Sequence, residues 1–206
     1  MARPDLLTLS LRGLAAFIIL GSLGFLGAQP LGEALLPVIT FILHLAAPGL
    51  APALTLVPEN HDHLIRLSAL VLSPVAVTPG KSVEAGVELF AGIHLLHTLV
   101  PSVILLATLA AWPVDRWQRR VALLGAGLAL AVALVAAVAP FQLLGQLEIQ
   151  FAEFAARTGY ERPVPWTLRW MIFCEMGGRW ALPLAAAWLC IRWSERRLPE
   201  GGGNER

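Results

Sequence analysis

Four runs of this sequence are apolar enough, and close enough to the required length, to cross the hydrocarbon core of a bilayer, a task that takes about 20 helical residues. They cover about residues 13–28, 89–112, 121–141 and 166–193. A soluble fold would struggle to accommodate them. Of the 206 residues, 57% are hydrophobic and 14% are charged, against about 45–50% and about 25% in soluble domains. Too few charges remain to cover a water-exposed surface. The expected fold class is an all-α polytopic membrane protein, a single domain over residues 1–206, with the lipid bilayer as its first partner.

Basic residues orient the runs, because cytoplasmic loops are enriched in Lys and Arg. With the N-terminus inside, the inner pieces hold Arg3 and Arg12; Arg116, Arg119 and Arg120; and Arg192, Arg196, Arg197 and Arg206, nine of the 15 basic residues. A further candidate, residues 34–57, carries Pro37, Pro48 and Pro52, which remove backbone donors. Counting it as a span would put the arginines at 116, 119 and 120 outside. It is therefore read as an interfacial helix, giving four transmembrane helices, an outer segment over residues 30–88 and a cytoplasmic tail over residues 194–206. Both termini are expected in the cytoplasm, at a bacterial inner membrane. The first run also has the character of a signal peptide, a basic start followed by an apolar stretch. Gly21, Gly24 and Gly27 within it permit close helix packing.

In the outer segment, Ser82 to Leu89 alternates polar and apolar residues, the period of a half-buried strand. Pro79 and Gly80 before it signal a turn, and residues 64–77 supply a second strand interrupted by Pro74. The expectation is a small outer β-hairpin. A lone hairpin is marginally stable, so it is expected to meet a membrane-protein partner or a second copy of the chain. His61 and His63 precede it, in a stretch read as a solvated polar loop. Residues 146–162 read as a short amphipathic helix on the outer surface.

Ionisable groups in spans are costly and tend to mark function. The second run carries His94 and His97, three apart and so on one helix face. The fourth carries Glu175 and Arg179, at the spacing of an intrahelical ion pair. His94 lies 18 residues before Trp112, and Glu175 lies 18 before Trp193. On regular helices both would sit roughly 27 Å above the inner boundary. The four side chains form a candidate polar cluster. One reading makes His94, His97 and Glu175 ligands of a divalent metal or acid–base groups, with Arg179 holding an anion. The other makes them structural interhelical contacts. The structural reading is preferred, because no nucleophile or metal-protease motif accompanies them. Gly177, Gly178 and Pro183 predict an irregular fourth span. Cys174 and Cys190 are 16 residues apart in one apolar run. On a helix that is roughly 24 Å, too far for a disulfide. A net charge of +1 gives no basis for nucleic-acid binding. No residue pattern names a cofactor.

An N-terminal span, an outer segment with a proline-rich helix and short hairpin, and three further spans make up the layout. The last span holds the Gly- and Pro-containing stretch 176–184. This layout resembles the small accessory membrane proteins encoded beside exosortases, bacterial membrane enzymes that sort surface proteins. The resemblance implies a non-catalytic accessory or assembly subunit in envelope protein sorting or export. Cys174, Arg179 and His94 do not stand in the contexts of the exosortase active site, so that activity is not implied. The residues leave open a membrane-embedded metal-dependent or hydrolytic enzyme using the cluster, and a small transporter subunit.

Overall fold

The computed structural model describes residues 6–59, 62–114 and 116–197, which are mostly helical with a small sheet. In chain order the elements are α1 (Leu6–Leu26), α2 (Ala28–Ala46), β1 (Leu50–Glu59), β2 (Asp62–Val71), β3 (Val75–Thr78), β4 (Lys81–Val83), β5 (Glu88–His94), α3 (Leu95–Ala111) and α4 (Trp117–Arg157). Then come α5 (Trp166–Phe173), a kinked segment (Cys174–Gly178) and α6 (Arg179–Arg197). Three helices, α1, α2 and α4, are long and apolar enough to cross a membrane. The chain divides into two compact units.

One unit gathers α1, α3 from Val100, α4 as far as Leu134, and α6. Its core joins Leu105 and Leu109 of α3, Leu123 and Ala131 of α4, and Ala187 and Ile191 of α6. Gly127 permits this packing, since a Cβ there would come within 2.4 Å of Leu109. Helix α1 is apolar around its circumference and buries none of its residues. Water does not tolerate such a surface, whereas lipid does.

The other unit gathers α2, the five strands, the start of α3, α4 from Val135, α5 and the kinked segment after it. Strands β1, β2 and β5 form an antiparallel sheet in the order β1-β2-β5, and β3 pairs separately with β4. On β2 the alternation is explicit: Ile65, Leu67, Ala69 and Val71 are buried, while Arg66 and Leu70 are exposed. The buried face packs with Ile39 and Leu43 of α2 and with Leu143, Leu147 and Phe151 of α4 in one core. Gly32 allows α2 to approach closely, since a Cβ there would lie 2.7 Å from Leu95 and 3.0 Å from Leu56.

The β3–β4 turn falls at the expected Pro79 and Gly80, with Gly80 at φ +84°. The strand expected over Ser82–Leu89 is instead split between β4 and β5, with Gly86 at φ +90° between them, and the outer segment holds more than a hairpin. Strand β1 was hidden by Pro52 and Pro58, residues that argue against a strand unless it lies at an edge. The N–H of Leu72 donates to the Gly49 carbonyl at 2.8 Å. Odd-numbered residues of β1 therefore bond toward β2, and the two prolines fall at the outward positions, where no donor is needed. They also blunt that edge against further pairing.

Three expected spans differ from the observed elements. The second begins as strand β5, leaving a helix of 17 residues, because the first apolar residues after Glu88 join the sheet. The third runs on through Pro140 and merges with the expected surface helix into 41 continuous residues. At 1.5 Å per residue α4 is about 60 Å long, roughly twice a hydrocarbon core. The fourth is broken at Cys174–Gly178, where Gly177 adopts φ +137°. This is the irregularity that the paired glycines announced. Residues 34–57 divide into the end of α2, whose helix continues past Pro37 to Ala46, and strand β1.

Candidate functional site

The histidine pair does not share a helix. His94 is the last residue of β5, and His97 lies in the first turn of α3. What joins strand to helix at this point is Asp62, at the start of β2. Its Oδ1 accepts the N–H of Leu96 at 3.3 Å, and its Oδ2 stands 3.4 Å from His94 Nδ1. The first N–H groups of a helix have no partner within it, and a carboxylate there also favours the helix dipole. Asp62 thus caps α3 from 34 residues away. The Thr98 hydroxyl donates to the His94 carbonyl at 3.0 Å and closes the same turn. Asp62→Ala is expected to lower stability by about 1 kcal/mol, the usual worth of a cap, and Asp62→Asn by less. Thermal unfolding of the detergent-solubilised protein measures both.

His97 meets a different carboxylate. Its Nε2 stands 4.0 Å from Glu175 Oε2, an ion-pair contact longer than a hydrogen bond. Glu175 Oε1 accepts the Gln142 amide of α4 at 2.9 Å. His94 and His97 are therefore distributed between two carboxylates, Asp62 and Glu175. Arg179 opens α6, belongs to the other unit and is buried. His94 lies on a strand, not on the helix expected there, and the segment from Glu175 to Arg179 departs from regular helix at Gly177. Among the described residues no three His, Cys, Asp or Glu side chains group so as to hold a metal. His94 with Asp62 and His97 with Glu175 form two pairs. His61 lies outside the described residues, and His63 sits on β2 with its N–H donating to Asp62 at 2.6 Å.

A second polar feature carries no motif in the sequence. The N–H of Val71 donates to the Val87 carbonyl at 2.9 Å, so odd-numbered residues of β5 bond toward β2. Phe90 and Gly92 then point their backbone groups outward. The Gly92 N–H donates to Gln146 Oε1 at 3.2 Å, and Gln150 Nε2 donates to the Phe90 carbonyl at 2.8 Å. Two side-chain amides, four apart on α4, thus occupy bonding positions that an adjacent strand would fill. With Gln142 they form a stripe at i, i+4 and i+8, one face of the helix. The stripe was legible as three glutamines in an apolar stretch. Beside it runs an open groove of about 440 Å³, lined by Leu64, Arg66, Phe90 and Gly92 together with Gln146 and Gln150. Phe90 is 53% exposed.

Further along α4, Glu148 pairs with Arg162 at 3.0 Å, and that guanidinium lies over the Phe151 ring at 5.1 Å. Burial pushes the Glu148 carboxyl above its ordinary range, and Arg162 offsets only part of this. The pair ties the loop before α5 to α4.

No protein-family model, curated protein or solved structure matches the chain. What the described residues define is a mostly helical chain with three helices apolar enough for a membrane and a small sheet whose β5 edge is held by glutamines.

Proposed function

We propose that this chain is a multi-pass accessory or assembly subunit of a bacterial inner membrane, acting with a partner protein in envelope protein sorting or export. The observation that carries the reading is the sheet's open face. Phe90 and Leu70 are exposed there beside Arg66 and the groove along β5. Large apolar side chains gathered on one exposed face mark a protein contact. The layout's similarity to the accessory proteins encoded beside exosortases supports the same role.

Four crossings fit this proposal: α1, α3, the apolar part of α4, and the broken α5–α6 segment, with both termini cytoplasmic. Helix α2, though long enough to cross, buries Ile39 and Leu43 in the core of the sheet unit. The inner loops then carry Arg116, Arg119 and Arg120, as the positive-inside rule asks. A cysteine placed at Arg119, with Cys174 and Cys190 replaced by Ser, is expected to label only after the membrane is permeabilised. Labelling from outside would refute the orientation.

Complementation of a deletion strain tests the role. Phe90→Asp is expected to abolish delivery of sorted envelope proteins at normal abundance of the subunit. His97→Ala and Glu175→Ala are expected to sustain delivery. Loss of delivery in either of the latter, at normal abundance, would instead favour a membrane-embedded enzyme.

A further inference from the structure

Within the helical unit a second groove, of about 440 Å³, lies between the C-terminal end of α3 and one face of α6. Leu184, Trp188, Ile191, Arg192 and Glu195 line it from α6, with Trp112 opposite. These α6 positions follow i, i+4, i+7, i+8 and i+11, a single stripe about 16 Å long. The stripe is graded. Its N-terminal half is apolar and open, with Leu184 51% and Trp188 57% exposed. Its C-terminal half is charged. The Arg192 guanidinium lies over the Trp188 ring at 5.6 Å, and its Nη1 is 3.8 Å from Glu195 Oε2.

The neighbourhood reads as an interface. Trp112 and Trp188 have the amphipathic character of residues at a membrane boundary. Arg120 donates to the Ala110 and Trp112 carbonyls at 2.9 and 3.2 Å, so the C-terminal end of α3 is held by a cation. A water-soluble ligand would have no use for the apolar half, and a plain acyl chain none for the charged half.

We propose that this groove binds a zwitterionic aminophospholipid, phosphatidylethanolamine. This rests on the membrane reading above. Arg192 pairs with the phosphate through a charge-assisted bond. Glu195 accepts from the ammonium, and the Trp112 face adds cation–π attraction. An acyl chain lies along Trp188 and Leu184. The Arg192–Glu195 pair matches both charges of this headgroup. A purely anionic headgroup would meet Glu195 as a repulsion. Because that pair is exposed, it opens to the ligand at little cost.

The full chain, purified in detergent, is titrated with phosphatidylethanolamine, phosphatidylcholine and phosphatidylglycerol of equal chain length, and retained lipid is read by native mass spectrometry. Phosphatidylethanolamine is expected to be retained best. Arg192→Gln and Glu195→Gln are each expected to weaken it by about fivefold, the scale of one lost exposed ion contact. Arg196→Gln, also exposed on α6, is expected to leave it unchanged. All three variants should share the parent's melting temperature. Three results overturn the proposal: preferred retention of phosphatidylglycerol that Glu195→Gln strengthens, an equal loss in Arg196→Gln, or displacement of the lipid by free phosphoethanolamine. A chain that alkaline carbonate extracts from membranes overturns the membrane reading itself. A chain that stays in the membrane but shows no lipid preference overturns the lipid site alone.

Discussion

Leu67→Ala is expected to lower the stability of the sheet unit by about 2–5 kcal/mol, the range for large-to-small changes in a packed core. Leu67 is 1% exposed on the central strand, and its neighbours Ile65 and Ala69 face the same core. The strand is held on both sides, by β1 and by β5, so the backbone has little freedom to collapse into the space left. Against a typical total of about 5–15 kcal/mol, such a loss is a large share. Arg66 is the control. It is the next residue on the strand, and its side chain is exposed on the opposite face. Arg66→Ala is expected to change stability by no more than about 0.5 kcal/mol. Thermal unfolding of the two variants in the same detergent checks the difference. Equal melting temperatures would contradict the burial of this face.

The same strand shows how far local pattern reaches. Alternation along Ile65–Val71 is a two-residue period that any half-buried strand must display, and the apolar run there was legible as a strand. Its neighbour β1 was not, because proline is a local signal against a strand, while its tolerance at an edge is a property of the whole sheet. The start of α3 was illegible for a related reason. The sequence around His94 is apolar and continuous, and what ends the strand and begins the helix is a carboxylate 34 residues earlier. Charges counted along a helix therefore placed His94 and His97 on one face that does not exist. Helix α4 reads as two elements in the sequence because its polarity changes near Phe141, yet nothing between them stops a helix. Pro140 gives up one hydrogen bond without ending it. The glutamine stripe beyond Pro140 is legible in spacing, but its meaning depends on the strand edge it meets.

Gly177→Val is expected to destabilise the chain by about 3 kcal/mol, the upper range for a residue forced into sparsely allowed backbone. Gly177 holds φ +137° and ψ −9°, far from the left-handed well near φ +57° that Asn also visits. Gly177→Asn should therefore fail to rescue, and Gly177→Ala should fall between the parent and Val. Space is not the obstacle, because nothing lies within 4 Å of a Cβ built at this position. The penalty is purely conformational, which separates it from neighbouring Gly178, where a Cβ would come within 2.5 Å of the Phe173 ring. Gly125 on α4 provides the contrast. It has equally open space without the unusual backbone, so Gly125→Ala is expected to leave stability unchanged or raised. The break also aims a polar side chain. Glu175 sits within the kinked segment, where it accepts from Gln142 and faces His97. If valine straightens the segment into regular helix, Glu175 rotates by about 100° for each residue of register gained or lost. Gln142→Ala should then lower the melting temperature of the parent but not of Gly177→Val. An equal effect in both backgrounds would show that Glu175 keeps its contact without the break.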